Sequence, residues 1–383
     1  MTKALLMLTG GRGVPDMLAV KYLKPDITLI LTTEQGLNTA KHLQNSVKLR
    51  FGCKLEILPT THPYNEYEIK RACRDALEQF SHAEWVMNIT SSPKIISIFA
   101  MDVAREQNIP CWFLNTDGGE VISLAKTLPI EHQAVFDVTV EEYMDVYQRQ
   151  HEKRETIEYR EKAESWYPTA QVLVQYPQIT HQLLRKLRKA QEGKKQNESL
   201  SLKFGINAKP LIQELASSKS SFLVIDKETS DTLDCTISGG EKRKFLCGDW
   251  LEVFVCKEVE KAGFAQDYQW GYKVYHEKDI YELDLALTSR GLLFIGECKT
   301  DNDPFTKNSE YLDTIDANAG LLGRAYVSKF FITNHPNPLS VSSYQTFQQQ
   351  AAQKKIRIIN ADELPNIGEI LKQEVIKPTY PRI

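Results

Sequence analysis

The amino-acid sequence predicts an α/β chain of two domains, and three observations carry that prediction. Apolar strands alternate with amphipathic helical stretches over residues 1–140, and a charged, mostly helical stretch follows over 141–199. Within 200–383, two alternating strands form a hairpin from Tyr281 to Lys299 that ends in a cluster of ionisable side chains. A chain of 383 residues is long enough to bury two cores. Its 42% hydrophobic and 25% charged residues are ordinary for a globular protein in water.

In the first domain, strands are expected at Ala4–Leu8, Ile27–Leu31, Lys54–Leu58, Trp85–Ile89 and Cys111–Leu114, with a sixth at Ala134–Val140. Helices are expected near Gly36–Phe51, Asn65–Phe80 and Lys94–Gln107. This is the pattern of an open, mostly parallel sheet with helices on both faces, in which ligands collect at the carboxyl ends of the strands.

Those ends read Thr9-Gly10-Gly11-Arg12-Gly13, Thr32-Thr33-Glu34-Gln35, Asn88-Ile89-Thr90-Ser91-Ser92-Pro93-Lys94 and Asn115-Thr116-Asp117-Gly118-Gly119. Gly10, Gly11 and Gly118 would let a ligand approach the backbone. Thr33, Thr90, Ser91, Ser92, Asn115 and Thr116 offer short polar groups, and Arg12 and Lys94 offer cations for phosphate. Pro93 stands where a helix would begin, so the turn before it would aim main-chain N–H groups at an anion. Turn and cap chemistry accounts for any one of these loops; four on one edge predict a nucleotide site. Gly10-Gly11-Arg12-Gly13 does not fit G-x-G-x-x-G, and no G-x-x-x-x-G-K-[ST] is present, which argues against an NAD site and a P-loop.

In the second domain, Glu297 and Lys299 share one face of their strand, with Cys298 on the other. If Arg290-Gly291 form a two-residue turn, Ser289 pairs with Leu292 and Asp284 falls opposite Glu297. Opposed Cβ atoms lie about 5 Å apart, where two carboxylates repel unless a cation lies between them. A one-residue bulge at the turn would shift this register. Charged strand residues usually face solvent, but here they end the apolar run Leu292–Gly296, and buried carboxylates need a partner or a metal. Upstream, Asp249 reads as an N-cap and Trp250–Ala262 as a helix stopped by Gly263, with Glu252 on or beside its apolar stripe. A first-turn acid that complements the helix dipole explains Glu252 equally well. Strands near Gln266–Tyr275, Ile280–Thr288 and Leu292–Lys299, a helix near Ser309–Leu322 and a strand at Lys329–Thr333 complete the order αβββαβ.

That order, with Glu252 in the first helix, Asp284 on the second strand and Glu297-Cys298-Lys299 on the third, resembles the restriction-endonuclease-like PD-(D/E)xK nucleases from Phe245 to Thr333. Leu283 stands where the family motif has proline. The resemblance implies that Asp284, Glu297 and the Cys298 carbonyl would ligate Mg²⁺ or Mn²⁺, hard cations that suit oxygen donors. Lys299 would position or activate the attacking water, and Glu252 would complete or tune the site. The first domain, with Thr-Gly-Gly after one strand and N-x-T-S-S-x-K after another, resembles a Rossmann-like CARF domain, the cyclic-oligoadenylate sensor of type III CRISPR defence. Many relatives carry T-G-G-T-K where this chain has Thr90-Ser91-Ser92-Pro93-Lys94.

Together the two halves resemble CARF-nuclease effectors. The resemblance implies a two-fold homodimer, cyclic tetra-adenylate as activator, and cleavage of single-stranded DNA and RNA with nicking of duplex DNA. Residues 1–140 would be the sensor, 141–199 a coupling element or a spacer, and 200–383 the nuclease. A nucleotide-sensing regulator that binds DNA without cutting it is the alternative; Glu252, Asp284, Glu297 and Lys299 argue against it, because a pure binder has no use for four such groups.

A net charge of −3 excludes a protein that coats nucleic acid by charge alone. Local basic clusters at Arg185–Lys195 and Lys242–Lys244 are either solvated faces or phosphate contacts. Tyr268, Trp270, Tyr272 and Tyr275 would serve as base-stacking platforms or, more in keeping with strand aromatics, as core. Seven scattered cysteines without C-x-x-C pairs argue against zinc knuckles and a disulfide framework. No apolar run approaches the roughly 20 residues of a membrane helix, and the expected location is the cytoplasm.

Overall fold

The computed structural model describes the chain except residues 116–118, 126–136, 218–220, 307–309, 324–325, 337, 339–341 and 381–383. The described residues fall into two units: Met1–His151 with Thr288–Leu293 and Leu321–Tyr326, and Glu152–Leu287 with Phe294–Gly320 and Val327–Ile383.

The first unit contains β1 (Lys3–Thr9), α1 (Gly13–Leu23), β2 (Ile27–Thr32), α2 (Leu37–Phe51), β3 (Lys54–Ile57), α3 (Glu66–Gln79), β4 (Glu84–Asn88), α4 (Lys94–Glu106), β5 (Cys111–Asn115), β6 (Glu120–Ala125) and α5 (Val140–Val146). Its sheet has the order β3-β2-β1-β4-β5-β6. The first five strands pair in parallel and β6 returns antiparallel to β5. The β1 side chains Ala4, Leu6 and Leu8 meet Ile69 and Cys73 of α3 and Ile96, Ala100 and Val103 of α4 in one core cluster. Such continuously buried strands are what a sheet covered on both faces requires.

Two expectations are corrected here. The sixth strand is Glu120–Ala125, not Ala134–Val140. Residues 134–136 lie outside the described residues, Asp137–Thr139 are irregular, and Val140 opens α5, where the Thr139 hydroxyl and the Glu142 carboxylate form a reciprocal cap. The connection from Asn115 to Glu120 therefore joins two antiparallel strands. Helix α1 was also absent from the sequence reading: it is apolar nearly all round and carries Pro15, so it shows no helical polar face.

The second unit takes in the end of β7 (Gln150–Lys153), α6 (Ile157–Ser165), α7 (Tyr167–Gln175) and α8 (Pro177–Gln191). Pro168 and Pro177 sit in the first turns of α7 and α8, where a missing N–H costs nothing. A three-stranded antiparallel sheet, unanticipated from the sequence, follows: β8 (Leu200–Gly205), β9 (Leu223–Glu228) and β10 (Thr232–Ile237), with α9 (Lys209–Ser217) between β8 and β9. Then come α10 (Glu241–Lys244), α11 (Trp250–Ala262), β11 (Asp267–His276), β12 (Asp279–Ser289), β13 (Leu292–Lys299), α12 (Glu310–Leu321), β14 (Val327–Thr333), α13 (Tyr344–Gln353), β15 (Ile356–Ile359) and α14 (Ile367–Ile376). The main sheet has the order β15-β14-β13-β12-β11-β7, and α11 to β14 reproduce the order αβββαβ.

Arg290 and Gly291 have φ of 53° and 76°. Both central positions in the left-handed region make the tight two-residue turn whose twist matches a hairpin. Trp270 and Tyr272 are buried, while Tyr268 and Tyr275 are half-buried. The seven cysteines are free thiols. Among the described residues no helix is long and apolar enough to cross a membrane.

Candidate functional site

Strands β12 and β13 are buried along most of their length, and Asp284 and Glu297 are buried with them, while Glu282 and Lys299 are half-buried and Asp279 is exposed. Asp284 and Glu297 are 5% and 9% exposed. The Cys298 main-chain N–H donates to Asp284 Oδ2 at 2.8 Å, and Lys299 Nζ lies 3.2 Å from that oxygen and 2.5 Å from Glu297 Oε1. Beyond the strand end, Arg188 of α8 donates to Thr300 Oγ1 at 2.5 Å, and that hydroxyl donates to the Cys247 carbonyl at 3.1 Å. The aspartate, glutamate and lysine of the motif thus meet at one place, held from both sides.

Glu252, in the first turn of α11, is 5% exposed. Burial, and then the charge of Asp284, push its carboxyl well above the ordinary carboxylate range. Burial and Asp284 likewise push Glu297 up to about 7, against the pull of Lys299. Lys299 is held fully charged: the attraction of Asp284 and Glu297 outweighs its desolvation. Asp284, Glu297 and Lys299 are thus in contact, and Glu252 lies near enough to Asp284 to feel its charge.

Asp249 is not the N-cap of α11. Its backbone is helical, because α10 runs through a wide turn at Phe245–Asp249 into α11 without a break. Its carboxylate instead accepts from the Tyr159 hydroxyl at 2.7 Å and pairs with Arg154 at 3.1 Å. Arg154, which the sequence reading passed over, also pairs with Glu252 at 3.1 Å, with Glu155 at 3.1 Å, and with Glu282. No motif marks it, since apart from Glu155 its partners Asp249, Glu252 and Glu282 lie 95, 98 and 128 residues away in the chain.

Among the described residues no group of three or more His, Cys, Asp and Glu side chains stands ready around one ion position. Asp284 and Glu297 are nevertheless buried oxygen donors paired with one ammonium among the described residues, the chemistry that suits a hard ion completed by main-chain oxygen and water. The residues fit the divalent ion that the resemblance implies.

In the first unit, β1 and β4 are the neighbours at which strand order reverses, so the loops after them open a crevice. The loops converge there. A Cβ on Gly10 would lie 2.7 Å from both Pro93 Cδ and the Ser91 carbonyl, and one on Gly36 would lie 3.0 Å from the Thr9 carbonyl. Gly10, Gly11, Arg12 and Lys94 are exposed at this edge and Ser92 is half-exposed. Arg12 rests over the Tyr326 ring at 5.6 Å.

The other polar candidates have internal partners. The Thr33 hydroxyl caps the turn at Gly36, Thr90 accepts from Leu114 N–H at 2.9 Å, and Asn115 donates to Glu120 at 2.9 Å. Ser91 donates to Asp16 Oδ2 at 2.5 Å. Thr116 and Gly118 lie outside the described residues. Asp16, on the unanticipated α1, also accepts from the Thr9 hydroxyl at 2.7 Å and from Asn88 at 3.1 Å. Full burial pushes it up to about 7 despite those hydrogen bonds.

Residues 239–377 match the family model described as "Card1-like, endonuclease domain". No curated protein matches the sequence. Among solved structures, Can2 from Sulfobacillus thermosulfidooxidans, in complex with cyclic tetra-adenylate, matches with a TM-score of 0.73 at 18% identity over 98% of each chain. Protein VC1899 from Vibrio cholerae matches with a TM-score of 0.73 at 17% identity over 97% of each chain. A type III CRISPR defence DNA nuclease activated by cyclic oligoadenylate matches with a TM-score of 0.53 at 13% identity, covering 87% of this chain and 45% of that one. Residues 239–377 are therefore similar to Card1-like endonuclease domains, and the chain as a whole shares the fold of Can2 and of VC1899.

Proposed function

We propose that this chain is an endonuclease switched on by cyclic tetra-adenylate, acting in antiviral CRISPR defence. The observation that carries the reading is the contact of Lys299 with both Asp284 and Glu297 inside the endonuclease domain. A bound Mg²⁺ or Mn²⁺ would lower the pKa of water and neutralise charge developing on phosphorus. Asp284 and Glu297 would hold it with the Cys298 carbonyl. Asp284 is fixed for this by the Cys298 N–H, and Lys299 orients the nucleophile and offsets charge beside the phosphate. Glu252 tunes the centre from α11.

The activator would lie on the β1/β4 edge, with Gly10 and Gly11 admitting it and Arg12 and Lys94 meeting its phosphates. Two copies would share one cyclic ligand, since a two-fold ligand suits an isologous pair. The ligand can shift the enzyme only by binding its active arrangement more tightly. The expected substrates are single-stranded DNA and RNA, with nicking of duplex DNA.

The test is a cleavage assay on labelled single-stranded DNA and RNA with Mn²⁺ or Mg²⁺, with and without cyclic tetra-adenylate. Cleavage that needs both the nucleotide and Lys299 supports the reading. Equal cleavage without the nucleotide removes the switch, and binding of DNA with no cleavage under any condition favours the regulator.

A further inference from the structure

The guanidinium of Arg154 stands among four carboxylates of the nuclease unit. Its Nη2 lies 3.1 Å from both Asp249 Oδ1 and Glu252 Oε2, its Nη1 lies 3.3 Å from Glu252 Oε1 and pairs with Glu282, and its Nε lies 3.1 Å from Glu155 Oε1. Both oxygens of Glu252 are thus engaged by one fork, the geometry in which arginine fixes the direction of a carboxylate and not merely its charge.

The fork is itself held. The Arg154 side chain is 17% exposed, and its main-chain N–H donates to the Gly271 carbonyl at 2.8 Å. Gly271 has φ +54°, and a Cβ there would come within 3.1 Å of Arg154 Nε, so the guanidinium lies close against a bare backbone. Glu252 is at the same time near enough to Asp284 for that charge to raise its carboxyl. Glu252 therefore turns both oxygens to the guanidinium.

We propose that Arg154 is a positioning residue of the nuclease centre: a resident cation that turns Glu252 away from the divalent ion expected at Asp284 and Glu297, so that the centre takes one ion where its carboxylates alone would take two. This rests on the metal-dependent reading above. Glu252 then acts on the reaction through its charge and not as a ligand. Lysine at position 154 would keep the charge but lose the fork.

The test is calorimetric titration of the full-length protein with Mn²⁺, without nucleic acid, with melting curves to establish folding. The wild type and Glu252→Gln are each expected to bind one ion per chain, with affinities within about tenfold of each other. Arg154→Met should bind a second ion, Arg154→Lys should not, and the double variant Arg154→Met/Glu252→Gln should lose the second. The proposal is overturned if Glu252→Gln weakens the single ion by about tenfold or more, or if folded Arg154→Met still binds one. Should Arg154→Met not fold, Glu252→Gln decides alone. A wild type that binds no Mn²⁺ beside an Arg154→Met that binds one would remove the metal-dependent reading and keep Arg154 as the resident cation. No binding by either folded chain overturns both.

Discussion

The main-chain N–H of Cys298 donates to Asp284 Oδ2 at 2.8 Å, which fastens the aspartate of β12 to the strand that carries Glu297 and Lys299. The motif is therefore one rigid piece. Lys299→Ala removes the ammonium that bridges Asp284 and Glu297, and Asp284→Asn removes the anion that Lys299 and the Cys298 N–H address. Each should lower activator-dependent cleavage by about 100-fold or more, the usual scale for losing a preorganised charge in a water-poor centre. Circular dichroism and nucleotide binding should be unchanged. Undiminished cleavage by either variant would exclude the assignment.

Glu297 is pushed up to about 7 by burial and by Asp284. An incoming divalent ion must displace its proton, so Mn²⁺ affinity and cleavage should both rise with pH and level off above about 7. Measured pH profiles of Mn²⁺ affinity and of rate should share that rise. A profile flat through neutrality would mean that Glu297 is already ionised.

Asp16 provides a separate pH effect, on stability. Its folded value, about 7, exceeds its ordinary 3.8, so between those limits the folded chain holds a proton that the unfolded chain has released. The contribution is full below pH 3.8 and is lost as pH rises through about 7. The swing is on the order of 4 kcal/mol at most. Wild-type melting temperature should fall over that window, and the fall should shrink in Asp16→Asn. That variant starts lower by about 1–3 kcal/mol, because its amide cannot accept from Thr9, Ser91 and Asn88 together. Equal slopes in the two proteins would place the buried proton elsewhere.

Gly10→Ala tests the crevice. Its methyl would collide with Pro93 and the Ser91 carbonyl at 2.7 Å, forcing the loops after β1 and β4 apart. The cost should be about 1–3 kcal/mol of stability, as for other overpacked sites. Cyclic tetra-adenylate binding should be lost, while Mn²⁺ binding at the nuclease centre remains. Unchanged nucleotide affinity would move the ligand off this edge.

What could be read from the chain follows the range of the forces involved. Periodicity located β1 to β5, α11 and the β12–β13 hairpin, because each is set by neighbours a few residues away. Arg290-Gly291 announced its own turn, and Glu297-Cys298-Lys299 needed only strand alternation to place two charges on one face. Near neighbours were also where local reasoning misled. Asp249 has the composition of a cap, yet α10 runs on through it and long-range partners claim its carboxylate. Helix α1 shows little amphipathic contrast and went unread; β8 and β10 do alternate buried and more exposed residues, a signal present in the chain that was missed.

Arg154 and Asp16 belong to the other class. Nothing around Arg154 in the chain reveals that Glu252 and Glu282 will close on it from about 100 residues or more away. Nor does any motif show that Asp16 will gather Thr9, Asn88 and Ser91 beneath the glycine loop. A buried charge takes its partners from whatever the packing brings near, and sequence spacing carries no record of that choice. The residue types and local geometry of the nuclease motif are therefore written along the chain, while the charges that balance them exist only once the chain has folded.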